Sequence, residues 1–275
     1  SVLRTNAEKR AVKNALQNAN GNWCAASAAL KKALSPEAFR KASLASSLAE
    51  MIGDHPSIGK LAGHAEIRNL RDLADRNIDE LRELMAPEAH HDTPAYNEAI
   101  TIATKLRTQL FHTETSTVLH KMVRDVEIPI ADIAVRDGVA AFFKAHADFN
   151  IRTTSVYAML QHPEALAGVA EEHHDAVTHE LKNLQRTQAL CPTPEALTSL
   201  WNKKVLSAHH ITDMPESTFL KQHGDELGKD IAQKVYGNAI NCRIRNEQAL
   251  ITMREAIFGT GLAAIDGEFT IDDRR

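Results

Sequence analysis

The sequence has few aromatic residues and almost no strand patterns. Aromatic side chains make up 5% of the 275 residues, and the long segments are dominated by Ala, Leu, Glu, Lys and Arg, which favour helix. The few strand candidates, such as residues 128–130 and 269–271, are too short to build a sheet. We therefore predict an all-α fold, an irregular multi-helix bundle of short helices.

Cysteine is scarce as well. The three cysteines, Cys24, Cys191 and Cys242, are odd in number and far apart, which argues against a disulfide framework and against a zinc module. Cys191 directly precedes a proline and Cys242 lies inside a long helical pattern, and neither has a recognisable base nearby in the sequence. We interpret all three as buried or inert thiols.

Long apolar runs and an excess of one charge are also missing. No run approaches the roughly 18 apolar residues that a membrane-spanning helix requires, and the N-terminal segment has no signal-peptide core. The formal net charge is −4, from 32 Lys and Arg against 36 Asp and Glu, so the chain has no general attraction to nucleic acid. The sequence thus predicts no direct membrane span and no nucleic-acid partner.

Helix starts, by contrast, are clearly marked. Thr193-Pro194, Ser35-Pro36 and Thr93-Pro94 each combine an N-cap residue with a proline that suits the first helical position. The longest helical pattern runs from about Leu227 to Phe258. Its apolar spacing predicts core contacts at five positions, which are Ile231, Val235, Ala239, Leu250 and Ile257.

Residues 67–81 resemble residues 205–219. In each segment a short helix carries an apolar pair, a polar break follows, and a second helix presents a large apolar residue, Leu81 or Phe219. The bundle is therefore predicted to contain a repeated two-helix unit. Two copies fall short of the three or more stacked units of a solenoid.

A domain boundary is predicted where the sequence loosens, between His146 and Thr154, although this segment could equally be an ordinary loop. The predicted parts are an N-terminal helical region (1–147), a C-terminal helical region with the second two-helix unit (148–258), and a tail or linker (259–275).

The histidine-rich segment 171–180 is the strongest candidate for a metal site. On a helix, Asp175 and His179 share a face, but they supply two ligands rather than a full set. Gly259 and Gly261 lack the third glycine and the preceding strand of a phosphate-binding loop. We predict no catalytic, cofactor-binding or metal-binding residues, and no cofactor.

Trp201 and Phe219 are the candidate protein contacts. Both are large apolar side chains on short helices, and aromatic residues are enriched at the centres of protein interfaces. The alternative for each is an ordinary place in the hydrophobic core.

An ordered series of segments carries a family resemblance. The segments are residues 96–100 (YNEAI), 111–115 (FHTET), 142–156 (ending FNIRTTSV), 181–186 (LKNLQR) and 206–211 (LSAHHI). Over most of residues 22–258 their order and spacing resemble the N-terminal α-helical shell region of the A subunits of bacterial Tc insecticidal toxin complexes and of their "neuraminidase-like" relatives. The series as a whole carries the resemblance, since no single motif is diagnostic.

The resemblance implies a non-enzymatic structural module, part of the helical shell of a pore-forming translocation subunit. Its partners would be other subunits of a toxin complex, and, because such A subunits assemble as pentamers, a homo-oligomer is also expected. Localisation stays open between secretion within a larger toxin and the cytoplasm. The alternatives are a stand-alone helical adaptor or cargo-binding protein built on the same module, and an enzyme whose metal or thiol site is assembled from residues distant in sequence.

Overall fold

The computed structural model describes residues 5–259 of the chain. Within that range the chain forms fifteen α-helices, one 3-10 helix and no strand, which confirms the predicted all-α fold of short helices. The helices are α1 (Asn6–Asn18), α2 (Trp23–Ala33), α3 (Pro36–Ile52), α4 (Ser57–Gly63), α5 (Leu70–Ala74), α6 (Ile78–Met85), α7 (Pro94–Thr113), α8 (Thr115–Arg124), α9 (Ile133–Ala145), α10 (Val156–Met159), α11 (His174–Gln188), α12 (Pro194–Asn202), α13 (Ala208–Thr212), α14 (Glu216–Leu227) and α15 (Lys229–Phe258), with the 3-10 helix Glu171–His173 directly before α11.

The fold divides into two compact units, the first ending at Leu181 and the second beginning at Lys182. The division therefore falls inside α11, and not after residue 147 as the sequence predicted. Of the predicted tail 259–275, all but Gly259 lies outside the described residues.

The segment after residue 147 belongs to the first unit because specific contacts hold it there. The N–H of Ile151 donates to Ser116 Oγ of α8 at 2.9 Å. The Phe149 ring packs edge-on against Phe142 of α9, with 5.5 Å between ring centroids. The segment thus has the composition of a loop, but these contacts fix it to the helices before it.

The marked helix starts are confirmed. Ser35, Thr93 and Thr193 each accept a hydrogen bond from the backbone N–H three residues further on, at 3.2 to 3.3 Å. In each case the following proline is the first helical residue, where its missing N–H leaves no hydrogen bond unmade.

The repeated two-helix unit is also confirmed. α5 and α6 form the first copy, and α13 and α14 form the second. The N-caps are equivalent, since Asn69 and Ser207 each accept the N–H of the residue three positions on. Leu81 and Phe219, which hold matching positions in the second helix of each copy, are both fully buried.

The repeat extends further than the sequence predicted. α11 starts as many residues after α3 as α13 starts after α5. The interval from the start of α4 to the start of α12 differs from these by one residue. A long helix, α7 or α15, ends each copy and packs against both helices of its two-helix unit. The chain therefore contains two copies of a five-helix succession, α3 to α7 and α11 to α15.

One side-chain contact recurs in both copies. Lys105 Nζ of α7 donates to the carbonyl oxygen of Ile52 at 3.3 Å. Asn238 Nδ2 of α15 donates to the carbonyl oxygen of Leu190, the counterpart of Ile52 in the second copy, at 3.0 Å. In each copy the long helix thus donates to a carbonyl at the end of the first helix (Ile52) or two residues beyond it (Leu190).

Candidate protein-interaction surface

The long helix of the second unit, α15, changes character along its length. Its first half packs against α13 and α14 and buries Ala232, Val235 and Ala239, which share one face. Between residues 240 and 258 no residue is buried, although the helix continues without a break.

The apolar face continues beyond the point where its cover ends. Leu250, Met253 and Ile257 repeat the spacing of the buried residues Ala232, Val235 and Ala239. The two sets are separated by five helical turns, so each later residue lies on the same side of α15 as its earlier counterpart, about 27 Å along the axis. The exposed fractions of the later three are 66%, 60% and 63%. We call these three residues the Leu250 row.

A second apolar row lies about 100° around the helix from the first, with Glu247 and Arg254 between the two rows. Ile244, Ile251 and Phe258 follow one another at intervals of seven residues, and all three are exposed. We call them the Ile251 row, and the two rows together the α15 apolar surface. Six of the nine exposed large hydrophobic side chains described in residues 5–259 belong to this surface. Such concentration distinguishes it from the scattered exposed apolar residues that any protein carries.

Local forces make this part of α15 helical without tertiary packing. Its sequence is rich in Ala, Leu, Met, Glu, Gln and Arg, which have high helix propensity. Arg243 and Glu247 form an ion pair one turn apart at 2.8 Å. Gly259 ends the helix with φ 73° and ψ 173°, a positive-φ conformation that glycine adopts without strain.

The structure corrects part of the prediction for this helix. Val235 and Ala239 are core residues as expected, and Ile231 is half-buried, but Leu250 and Ile257 are exposed. Periodicity identifies which side of a helix is apolar, whereas burial requires a second element to cover it. The seven-residue spacing of the Ile251 row is the signal in the sequence that could have revealed the rest of the surface.

Trp201 and Phe219, the predicted candidates for protein contact, lie in the core of the second unit. Trp201 of α12 is 1% exposed and Phe219 of α14 is 0% exposed, so neither presents a surface to a partner. The Phe219 ring lies 5.7 Å from that of Tyr236 and 4.6 Å from that of His223. The core alternative is therefore the correct one for both residues.

The first unit contains a polar cavity of about 310 Å³, lined by residues of α5, α8 and α9, with a smaller cleft adjoining it. Charges of opposite sign are paired here. Arg71 lies 3.5 Å from carboxylate oxygens of Glu114 and Asp148, and Arg76 lies 3.0 Å from Glu66. Because these groups largely neutralise one another, the cavity offers weak attraction to an ionic ligand.

Ser116, His120 and Asp75 also line this cavity and have the side-chain types of a nucleophilic triad. Burial lowers the pKa of His120, and the positive charge of the neighbouring Arg124 lowers it further. Ser116 Oγ, however, accepts the N–H of Ile151, and Asp75 lies 3.2 Å from Arg124. Both outer members are thus engaged in contacts that stabilise the fold.

A second polar cluster joins α12 to α14. Ser199 Oγ donates to Glu226 at 2.5 Å, and Lys203 Nζ lies 2.6 Å from Glu226 and 3.4 Å from His223 Nδ1. Hydrogen bonds from Lys203 and Ser199 lower the pKa of Glu226. Burial and then Lys203 lower the pKa of His223, which is 5% exposed. These groups satisfy one another between two helices.

The histidine-rich segment does not assemble into a metal site. His174 Nε2 lies 2.9 Å from the carbonyl oxygen of Val169, and His173 lies 3.6 Å from Glu172. Across residues 5–259, no group of three or more His, Cys, Asp or Glu side chains is placed to hold a metal ion.

The cysteines differ in environment. Cys191 is buried, and burial raises the pKa of its thiol far above the usual range, which leaves the inert thiol form at neutral pH. Cys242 is half-buried and Cys24 is exposed. Burial is thus confirmed for Cys191, whereas Cys24 is not a buried thiol.

No helix in the described part of the chain has both the length and the apolar character needed to cross a bilayer. Comparison of the chain with family models, with curated proteins and with solved structures finds no match.

Proposed function

We propose that this chain is a non-enzymatic helical module that works by protein–protein contact, with the α15 apolar surface as its contact site. One observation carries the proposal: a helix that is core in its first half extends the same apolar face into solvent in its second half. Soluble proteins rarely leave such a patch uncovered unless a partner binds there.

The energetics favour a partner that covers the Leu250 row. Full burial of a Leu, Ile or Met side chain contributes about 1.5 to 3 kcal/mol. Leu250, Met253 and Ile257 are each more than half exposed, so much of this free energy is available to an interface. The regular helical spacing matches the anchors by which a helix seats on another helix or in a groove.

The resemblance to the shell of Tc toxin A subunits supports the same kind of function. We propose on that basis that the module belongs to a larger toxin-type assembly. The size of the native polypeptide tests this part. On a denaturing gel of source-organism extract, an antibody against the chain should detect a band far above 30.3 kDa. A band at that mass would contradict the toxin assignment and favour a stand-alone adaptor with the same contact surface.

Site-directed photo-crosslinking tests the contact site itself. A photo-crosslinking amino acid in place of Met253 should give a discrete adduct in source-organism extract, and the adduct should disappear when Leu250→Glu is added. Thr252 is the matched control, because it lies next to Met253 in sequence but on the side of α15 opposite the apolar surface.

The crosslinking results that support the contact site differ from those that contradict it. A discrete adduct from position 253, absent from position 252 and dependent on Leu250, supports the proposal. No discrete adduct from position 253, or the same adducts from both positions, would show that this face binds no specific protein.

A further inference from the structure

We infer that the occupant of the Leu250 row is the same row of a second copy of this chain, with the two helices antiparallel. The inference rests on the proposed function and names the partner. It follows from two features of α15 between residues 247 and 258: the heptad spacing of Leu250, Met253 and Ile257, and the charges that flank them.

The Leu250 row fits the seam of a two-helix coiled coil. Leu250 and Ile257 are seven residues apart and take the first core position of the heptad, while Met253 takes the second. When two such helices pair antiparallel, Leu250 of each copy lies opposite Met253 of the other, and Ile257 lies opposite the polar Asn246. Both residues are more than half exposed in the single chain, so pairing removes apolar surface from both copies.

The charges beside the seam select the antiparallel arrangement. Glu247 and Arg254 occupy equivalent heptad positions on one flank of the row, seven residues apart. A two-fold axis perpendicular to the helices brings this flank of one copy against the same flank of the other. The alignment that sets Leu250 opposite Met253 also sets Glu247 of each copy beside Arg254 of the other. Two ion pairs therefore form by symmetry.

The opposite flank permits close approach. Ala249 and Ala256 occupy it, and the same antiparallel alignment places Ala249 of each copy beside Ala256 of the other. Small side chains here let the helices pack closely. A parallel pair would set Glu247 beside Cys242 and Arg254 beside Ala249 and would form no ion pair, so charge complementarity disfavours it.

Glu247 retains its own-chain partner in this arrangement. It accepts from Arg243 at 2.8 Å along α15, and a carboxylate has acceptor capacity for a second cation. Arg254 of the second copy would complete a three-membered network at the edge of the seam. Such edge pairs contribute more to orientation than to affinity.

The size of the contact predicts a reversible dimer. Two helical faces of this length bury on the order of 1,000 Å² in total, the range of weak, transient interfaces. We expect a dissociation constant of about 10 to 100 μM, so that the full-length chain is monomeric when dilute and dimeric at high concentration.

Sedimentation of the full chain across that concentration range, with charge-swapped variants, tests the inference. Glu247→Arg and Arg254→Glu each place like charges at both flanking contacts, and each should weaken self-association about tenfold. The double variant restores two opposite-charge contacts and should return to within about threefold of the original affinity. Glu255→Arg, an equal charge change on the side of α15 opposite the Leu250 row, is the control and should leave the affinity unchanged.

Mixing the two single variants gives the sharpest test. Only an antiparallel pair of one Glu247→Arg copy with one Arg254→Glu copy has opposite charges at both contacts. The mixture should therefore form heterodimers about tenfold more tightly than either variant forms homodimers. Dimers that show no such preference would overturn the antiparallel pairing.

The remaining outcomes separate this inference from the proposed function. A chain that stays monomeric at high concentration, together with a position 253 adduct to a different protein, overturns self-pairing and leaves the contact site standing. A monomeric chain with no discrete adduct overturns both.

Discussion

The long helices α7 and α15 hold the same place in the two copies of the repeat but differ in how fully they are covered. α7 packs against α3 and α8 as well as α5 and α6, and its buried residues run from Ala99 to Phe111, two residues from its end. α15 buries nothing after Ala239, although it continues to Phe258. The same succession of helices can thus end in a finished core or in an uncovered apolar face.

The difference shows that helix formation and helix burial have separate causes. The last turns of α15 are helical because their residues favour helix and because Arg243 pairs with Glu247. Those turns would bury their apolar face only if another element covered it. We expect stability to depend on α7 and on the first half of α15, and association to depend on the second half.

The two halves of α15 should differ most in how much stability is lost when a charge replaces an apolar residue. Val235→Asp places an unpaired charge in the core of the second unit and should lower its free energy of unfolding by about 4 kcal/mol. Met253→Asp, five turns later on the same side of the helix, should change the unfolding free energy by less than about 0.5 kcal/mol. Urea unfolding followed by circular dichroism measures both, and equal losses would contradict the division of α15.

A pair of leucines compares α7 with α15. Leu106 is fully buried in α7, so Leu106→Ala should cost about 3 kcal/mol in unfolding free energy through lost burial and the resulting cavity. Leu250→Ala should cost less than about 0.5 kcal/mol, since Leu250 already faces solvent. The same denaturation measurement tests both variants. A cost above about 2 kcal/mol for Leu250→Ala would mean that the isolated chain covers the Leu250 row.

A smaller effect concerns pH. Burial lowers the pKa of His223 and of His120 from their ordinary value of 6.5, so the unfolded chain takes up protons before the folded chain does. The stability that the two neutral histidines contribute is fully present above pH 6.5. It is lost as the pH falls from 6.5 through their pKa values in the folded chain. Unfolding free energies measured from about pH 7.5 to about pH 5 should show the decline.

The controls for the pH effect are His223→Gln and His120→Gln. Each removes one titrating group and should make the decline shallower in its own unit. An unchanged slope in both variants would assign the pH dependence to other groups.

The smallest effect lies within the exposed half of α15. Glu247→Gln removes the ion pair with Arg243 and should lower local helix stability by about 0.3 to 0.5 kcal/mol. Amide hydrogen exchange of residues 243–258 should become modestly faster, while residues 229–242 keep their protection. Faster exchange in both halves would show that the two are coupled.

Local chemistry made much of the fold predictable from sequence. A cap residue followed by proline sets a helix start through hydrogen bonds and backbone geometry at the site itself, which is why Thr193-Pro194 located α12 correctly. The two-helix unit was found for the same reason, since its breaks and caps are short-range features. The matching carbonyl contacts of Lys105 and Asn238 use different residues, and no sequence pattern could reveal them.

The candidate site was less predictable because burial depends on distant elements. Trp201 and Leu250 are both large apolar residues at helical spacing, yet one is enclosed by the second unit and the other is exposed. The compact units divide at Leu181 and Lys182 and not near residue 147 for a similar reason, since the bond from Ile151 to Ser116 joins residues far apart in sequence. The local composition of a segment therefore does not show to which unit it belongs, because that depends on its long-range contacts.

Hydrogen exchange along α15, measured on the full chain at low and at high concentration, shows directly whether the second half of the helix is covered. We predict strong protection of residues 229–242 at both concentrations, and weak protection of residues 243–258 that rises with concentration as the Leu250 row becomes covered. Equal and strong protection of both halves in the dilute chain would contradict the account, because it would mean that the face we describe as an interaction surface is already part of the core.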